Sequence, residues 1–491
     1  MRDGEWRGKT GRKTGGRRAR GLLASPITRR PVLGSAVAGG ASVAVVRVFG
    51  VNLEDLWPGH EESRSGWSSP LSGDAARVAH LLRRTTFGGT AEELERASSD
   101  GYRRTVDRLL EEHPAEPPGF PTGDGTRLNV RQLQLWWVRH MLSSPTPFAE
   151  RMTLFWHGHF TSDYRKVGAQ TPFIYWQNLT WRRMALTNLR SMLTEVTRDP
   201  AMLRYLDLAS STPANPNENY ARELMELFTM GLHYTEDDVR AAARALVGWK
   251  EPRPEGYANV DVNGTARRAP VYRTQKVGEW RPGRSGAAPQ AKFLGKTQSW
   301  DTQKVLDHVL AQPQTAPFIA AKVAREFLHT QPDGGFVNRL ADGFRKSSYD
   351  VRTLLRDLFT SDEFVADRSY RGLVKNPTEY LVSVLKAVGA PQLAPLAVSA
   401  GTDLGQVLFD PPDVGGWPAN EAWISSNNLL ARVNFVTQVL GRVTPLPPAG
   451  DAAKRHLDGV LSSPTARAVQ QAADDRARWL CVLAGPEFQL K

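Results

Sequence analysis

Residues 74–93 read DAARVAHLLRRTTFGGTAEE, and the fold turns on this stretch. Val78, Leu81 and Leu82 recur at helical spacing behind Asp74, which can cap the start of a helix. Phe87-Gly88-Gly89 closes it, because glycine reaches the left-handed backbone that ends helices. Thr90 then opens a T-A-E-E sequence, with Glu93 three residues on as the second half of a capping box. One helix ends and another begins within twenty residues.

The same alternation of apolar period and Pro/Gly punctuation continues down the chain. Helical runs are expected at 130–143, 148–160, 178–196, 216–230, 236–249, 302–311, 315–329, 351–360, 377–388, 425–441 and 466–484. Residues 250–296 differ, being rich in Gly, Pro and Arg with short β-type pairs such as Val271-Tyr272. That segment reads as an irregular loop or small β-hairpin insertion, placed to cover a cleft. The expectation is a mainly α protein, a multi-helix orthogonal or bundle-like array. It has one helical domain over 74–488, with two lobes meeting near 250–296 as a variant of that plan.

Composition supports a globular chain: 41% hydrophobic and 23% charged residues over 491. Fourteen tryptophans point to core filling first and an aromatic cleft second. The net charge of +12 invites a nucleic-acid reading. Residues 1–30, however, hold ten Lys/Arg against Asp3 and Glu5, a local +8 that leaves only +4 for the rest. Without a basic face or a reading motif in the body, nucleic acid is not an expected partner. The single cysteine, Cys481, excludes an intrachain disulfide and cysteine-rich metal sites.

The basic stretch runs into Thr28-Arg29-Arg30-Pro31 and then a mildly apolar Val32–Val46 segment. Basic region, paired arginines and a short apolar run in that order resemble a twin-arginine export signal over 1–47, followed by a linker at 48–73. The apolar run is shorter than the roughly 20 residues a spanning helix needs. Export to the periplasm, envelope or exterior is therefore expected, with membrane contact confined to this segment. No clear cleavage site follows, so an uncleaved anchor is the other outcome.

Three constellations can carry chemistry. In the 150–160 run, His157 and His159 flank Gly158. On a helix they point about 200° apart, but in extended chain they share a side, so a break at Gly158 would let both reach one metal or substrate. In the 215–228 run, Asn219, Glu223 and Glu226 share a helix face behind the polar entry Asn217-Glu218, and Arg222 can pair with Glu218 or Glu226. The third is the Phe409–Pro418 loop, in which Asp410 and Asp413 can cap backbone or hold a cation while Trp417 docks the loop. The phosphate-loop, dinucleotide, H-E-x-x-H and G-x-S-x-G signatures are absent.

Together these segments resemble the bacterial family known as domain of unknown function 1800. The matching stretches are 80–88, 151–160, 217–231 with Tyr234–Val239, 242–249, 306–327, 349–364, 408–417 and 422–434. The resemblance implies an exported helical protein, often encoded beside a second exported protein that is its expected partner. It carries no assigned reaction. The family usually has a His-Asp pair before the Phe-Leu-Gly of the irregular segment, whereas this chain reads GRSGAAPQAKFLG over 283–295.

Two functional expectations follow. In the first, His157, His159, Glu223 and Glu226 form an inter-helical metal site with Arg222 as electrostatic partner. His157, His159, Arg222 and Glu223 then serve as catalytic groups of a metal-assisted hydrolase or oxidoreductase. Nitrogen and carboxylate ligands suit zinc, iron or manganese. In the second, the same groups form a buried hydrogen-bond network in a non-catalytic envelope protein.

Overall fold

The structure, a computed structural model, describes residues 68–262, 264–282 and 290–491. The export-type segment, nearly all of the expected linker and the 283–289 stretch lie outside the described residues. Those described belong to one compact unit, Gly40–Lys491, and carry 22 α-helices with three two-stranded antiparallel ribbons. The mainly α expectation is met.

The deciding stretch folds as its pattern indicates, with one correction. Asp74–Thr85 is helical, but Gly73 holds the cap position and no side chain caps it. Asp74 lies instead in the first turn, where its charge favours the positive end of the helix. Gly88 is left-handed at φ 81°, and the Thr90/Glu93 capping box starts Ala91–Asp100. Two long runs divide. Asn188 accepts from the Arg190 and Ser191 amides, splitting 178–196 into Phe173–Met184 and Leu189–Arg198. Asp474 accepts from the Ala477 amide and starts Asp475–Ala484 apart from Ser463–Gln470. A capping side chain satisfies a new set of amides mid-run, and apolar periodicity does not register that.

The irregular segment holds the three ribbons, the longest pairing Gly256–Val262 with Thr265–Val271. It is anchored by Tyr272, whose ring meets Phe173 and Trp176 edge-on. It does not line the cleft described below. The apolar core falls into two clusters, one drawn mainly from 78–110 and 148–364, the other from 128–176 and 380–488. They interleave along the chain rather than meeting at 250–296. Trp137, Trp156, Trp181, Trp300 and Trp479 are wholly buried, so tryptophan serves the core first.

Helix Pro147–His159 joins the clusters, sending Met152 and Trp156 into one and Leu154 into the other. Glu150 ties it to two neighbours. Its carboxylate, wholly buried, accepts from Arg182 Nε at 2.5 Å and Nη2 at 3.0 Å, and from Trp137 Nε1 at 3.0 Å. His140 Nε2 lies 3.3 Å away. A buried charge held this way fixes which helix faces meet, since removing any partner strands the others.

Candidate functional site

Helix Pro147–His159 runs unbroken through Gly158, with the Phe160 amide bonded to the Trp156 carbonyl at 2.7 Å. The two histidines therefore stay on opposite sides, and the break that would have joined them is not made. Each is buried and each is neutral for its own reason.

His157 Nε2 accepts from the Phe409 amide at 3.1 Å, which places its proton on Nδ1. Its ring sits among Trp137, Phe409 and Trp417. Burial alone pushes its pKa down to about 3. This imidazole is a pin for the 409–418 loop. The loop is held further by Thr161 Oγ1, which donates to the Val414 carbonyl at 2.6 Å. At Gly416, φ 88°, a Cβ would stand 2.4 Å from the Gly158 carbonyl oxygen, so only glycine allows the approach. Asp413 Oδ1 accepts from the Gly415 amide at 2.8 Å, closing the turn, and Asp410 pairs with Arg165. These aspartates do the local work expected of loop residues.

His159 faces the other way. Its Nδ1 accepts from Lys322 Nζ at 3.0 Å and its Nε2–H donates to the Phe228 carbonyl at 3.1 Å. Burial, then the Lys322 charge, drives its pKa well below the usual histidine value, against the pull of that carbonyl. Lys322 Nζ also donates to the Leu227 carbonyl at 3.1 Å. Both carbonyls follow directly on helix Asn219–Glu226, whose last carbonyls have no partner within the helix. The expected meeting of His159 with this helix does occur, through its terminal carbonyls and not its carboxylates.

The carboxylates are engaged elsewhere. Glu226 accepts from the Tyr234 hydroxyl, and burial followed by the Glu226 charge raises the Glu223 pKa. Arg222 makes a two-pronged pair with Glu236 at 2.7 and 2.8 Å and reaches Glu218 at 3.5 Å, not Glu226. Asn217 Oδ1 accepts from the Asn219 amide, while Asn219 Nδ2 donates to Asp207. Among the described residues no three His, Cys, Asp or Glu side chains converge closely enough to hold a metal ion. The shared His157/His159/Glu223/Glu226 centre, for zinc, iron or manganese, is not assembled. The cause is the unbroken helix, which turns His157 away from His159.

What His159 and Lys322 do line is a cleft of about 330 Å³, which Trp417 and Trp423 also line. Arg151, Lys491, Glu326 and Glu379 line its floor as a closed ionic set. Arg151 Nη2 meets both glutamates, and Lys491 Nζ meets Glu379 at 2.6 Å and Glu326 at 3.4 Å. Burial works against charge on Glu379, but Arg151 and then Lys491 hold it ionised well below the carboxylate range. Those four cancel. Lys322 and the exposed Arg325 remain, and neither has a carboxylate partner among the described residues. Burial, then the neighbouring Arg325 charge, lowers the Lys322 pKa to about 8.

Sequence reasoning missed Lys322, Arg325, Glu326, Glu379 and Lys491. One signal was present: Lys322, Arg325 and Glu326 stand at i, i+3 and i+4 on the otherwise apolar Thr315–Phe327 helix.

Fold and site together define a helical-array protein with a cleft lined by charged side chains, among them a largely buried lysine amine. Residues 80–490 match the family described as "Protein of unknown function (DUF1800)", and the chain belongs to that family. No curated protein and no solved structure matches it.

Proposed function

We propose that the chain is an exported hydrolase that binds an organic anion in the Lys322/Arg325 cleft and uses the Lys322 amine as its general base. The observation that carries this reading is the setting of Lys322 Nζ. Two of its hydrogens go to His159 Nδ1 and the Leu227 carbonyl. In the neutral amine no N–H remains, so the lone pair is the free direction. Because His159 must give its own proton to the Phe228 carbonyl, it can only accept from the lysine, and this fixes the arrangement.

A base titrating near 8 is half neutral at mildly alkaline pH, the condition for efficient proton removal from water. Arg325 supplies the charge that draws in and orients the anion, and Trp417 and Trp423 supply a flat apolar wall for its body. No step is routed through a metal. Export is part of the proposal on the strength of the Arg29-Arg30 segment.

The test is hydrolysis of the 4-nitrophenyl monoester of succinate, with the uncharged 4-nitrophenyl acetate as control. Wild type is expected to prefer the charged ester. Lys322→Met should lower kcat on it by about 10²-fold or more. Arg325→Gln should raise KM and, by removing one cause of the lowered Lys322 pKa, move the alkaline rise of kcat to higher pH. An unchanged kcat in Lys322→Met would overturn the assignment.

A second reading, the non-catalytic envelope protein, has its own support. The Glu150 carboxylate is held by Arg182 and Trp137, His157 pins the Phe409 amide, and none of these four lines the Lys322 cleft. Under that reading wild type shows no preference for the charged ester.

A further inference from the structure

Away from the cleft, three cationic or nitrogen-bearing side chains from distant parts of the chain converge on one small cavity. Arg83 comes from helix Asp74–Thr85, Lys375 from the segment leading into helix Pro377–Ala387, and His456 from helix Ala452–Leu457. Arg455, exposed, stands at the mouth. The enclosed space is about 20 Å³, room for one occupant of water size or slightly larger.

Each inward side chain keeps a nitrogen without an acceptor among the described residues. Arg83 spends Nη1 and Nη2 on Asp458, at 2.9 and 2.6 Å, while its Nε is buried and unpartnered. His456 Nε2 is likewise buried and unpartnered, its ring packed near Trp479 and Phe488. Lys375 is the sharpest case. It is 5% exposed, and its Nζ lies over the Phe488 ring, 3.6 Å from the centroid. An amine buried in this way gives up its proton unless an anion accompanies it.

The charges around it make matters worse. Asp458 is already taken by Arg83, with Tyr370 donating to it as well. Glu379 is held by Arg151 and Lys491. Burial first, then the Arg83 charge, drives the Lys375 pKa well below the usual lysine value, with Glu379 opposing and Arg432 and Lys491 adding to the fall. Glu379 favours the Lys375 charge but is shared with Arg151 and Lys491, and Arg455 faces Glu92 at the surface.

We propose that this cavity is a binding site for one small inorganic anion, a halide such as chloride, held by Lys375 Nζ, Arg83 Nε and His456 Nε2. An anion there partners all three nitrogens at once and stabilises the ammonium form of Lys375, which burial alone disfavours. The site would join the first described helix to the last quarter of the chain. It differs from the Lys322 cleft in every lining residue.

The test uses the full chain in sodium chloride and in sodium gluconate at matched ionic strength, gluconate being too large for the cavity. Wild type is expected to melt roughly 2 °C higher in chloride, by an increment that grows with concentration. Lys375→Met, which replaces the buried ammonium with an apolar chain of similar length, should lose that increment. Arg455→Ala, a change at an exposed position, should reduce it, and it decides the matter if Lys375→Met does not fold. No chloride increment in wild type, or an equal increment in the variants, would mean the site is empty or the effect is general salt, and would overturn the proposal.

Discussion

His157 and His159 stand two residues apart on one helix and do unrelated jobs. The first accepts from the Phe409 amide inside an aromatic box, and the second orients Lys322 at the rim of a charged cleft. Their identity was legible in the sequence, but their division of labour was not. It depends on whether the helix stops at Gly158, and glycine is tolerated inside a helix at a cost of about 1 kcal/mol. Lys322 was hidden for a related reason. A single lysine in an alanine-rich helix reads as a solvated edge, and only the carbonyls at the end of a distant helix turn it into a positioned amine. The division of roles predicts that His157→Phe leaves the Phe409 amide without an acceptor and costs about 1–3 kcal/mol in urea unfolding. Ester hydrolysis should persist in the folded variant. Loss of hydrolysis at unchanged stability would place His157 in the chemistry instead.

At the scale of elements, most helices were readable because their apolar stripes face one core or the other, as in Val351–Phe359 with Leu354, Leu355 and Leu358 buried. Errors fall where a side-chain cap intervenes, at Asn188 and Asp474, or where the entry sequence is a poor helix former. Helix Gly334–Lys346 was not anticipated, since it opens on two glycines and is started by Asp333, which accepts from the Phe336 amide. The 409–418 loop was read as a rigid connection docked by Trp417, whose ring packs beside His157. Its fit onto the Gly158 carbonyl through Gly416 is a tertiary relation that no local pattern encodes. The cleft is likewise a product of assembly, drawing its wall from this loop, its amine from Thr315–Phe327 and its floor from residues as far apart as Arg151 and Lys491.

For the molecule as a whole, buried ionic groups tie distant segments and should set its acid stability. Burial opposes the charge on Glu150, but Arg182, with His140, more than compensates and holds its pKa at about 2. A carboxyl depressed on folding stabilises above its unfolded value, near 4.3, and that stability is lost as pH falls through the folded one. Between about pH 4.5 and 2 this one group should account for about 3 kcal/mol of lost stability. Glu150→Gln should be less stable at pH 6 and show a correspondingly flatter decline under acid, read from denaturant midpoints. An identical pH profile in the variant would show that the network does not act as described. The account rests above all on the Lys322 amine, and its ionisation can be measured directly. Competitive acetylation across pH, with each lysine followed by peptide mass spectrometry, reports the neutral fraction at that site. The account predicts that Lys322 titrates near pH 8, about two units below ordinary surface lysines. A Lys322 that titrates with the surface lysines near 10.4 would contradict it.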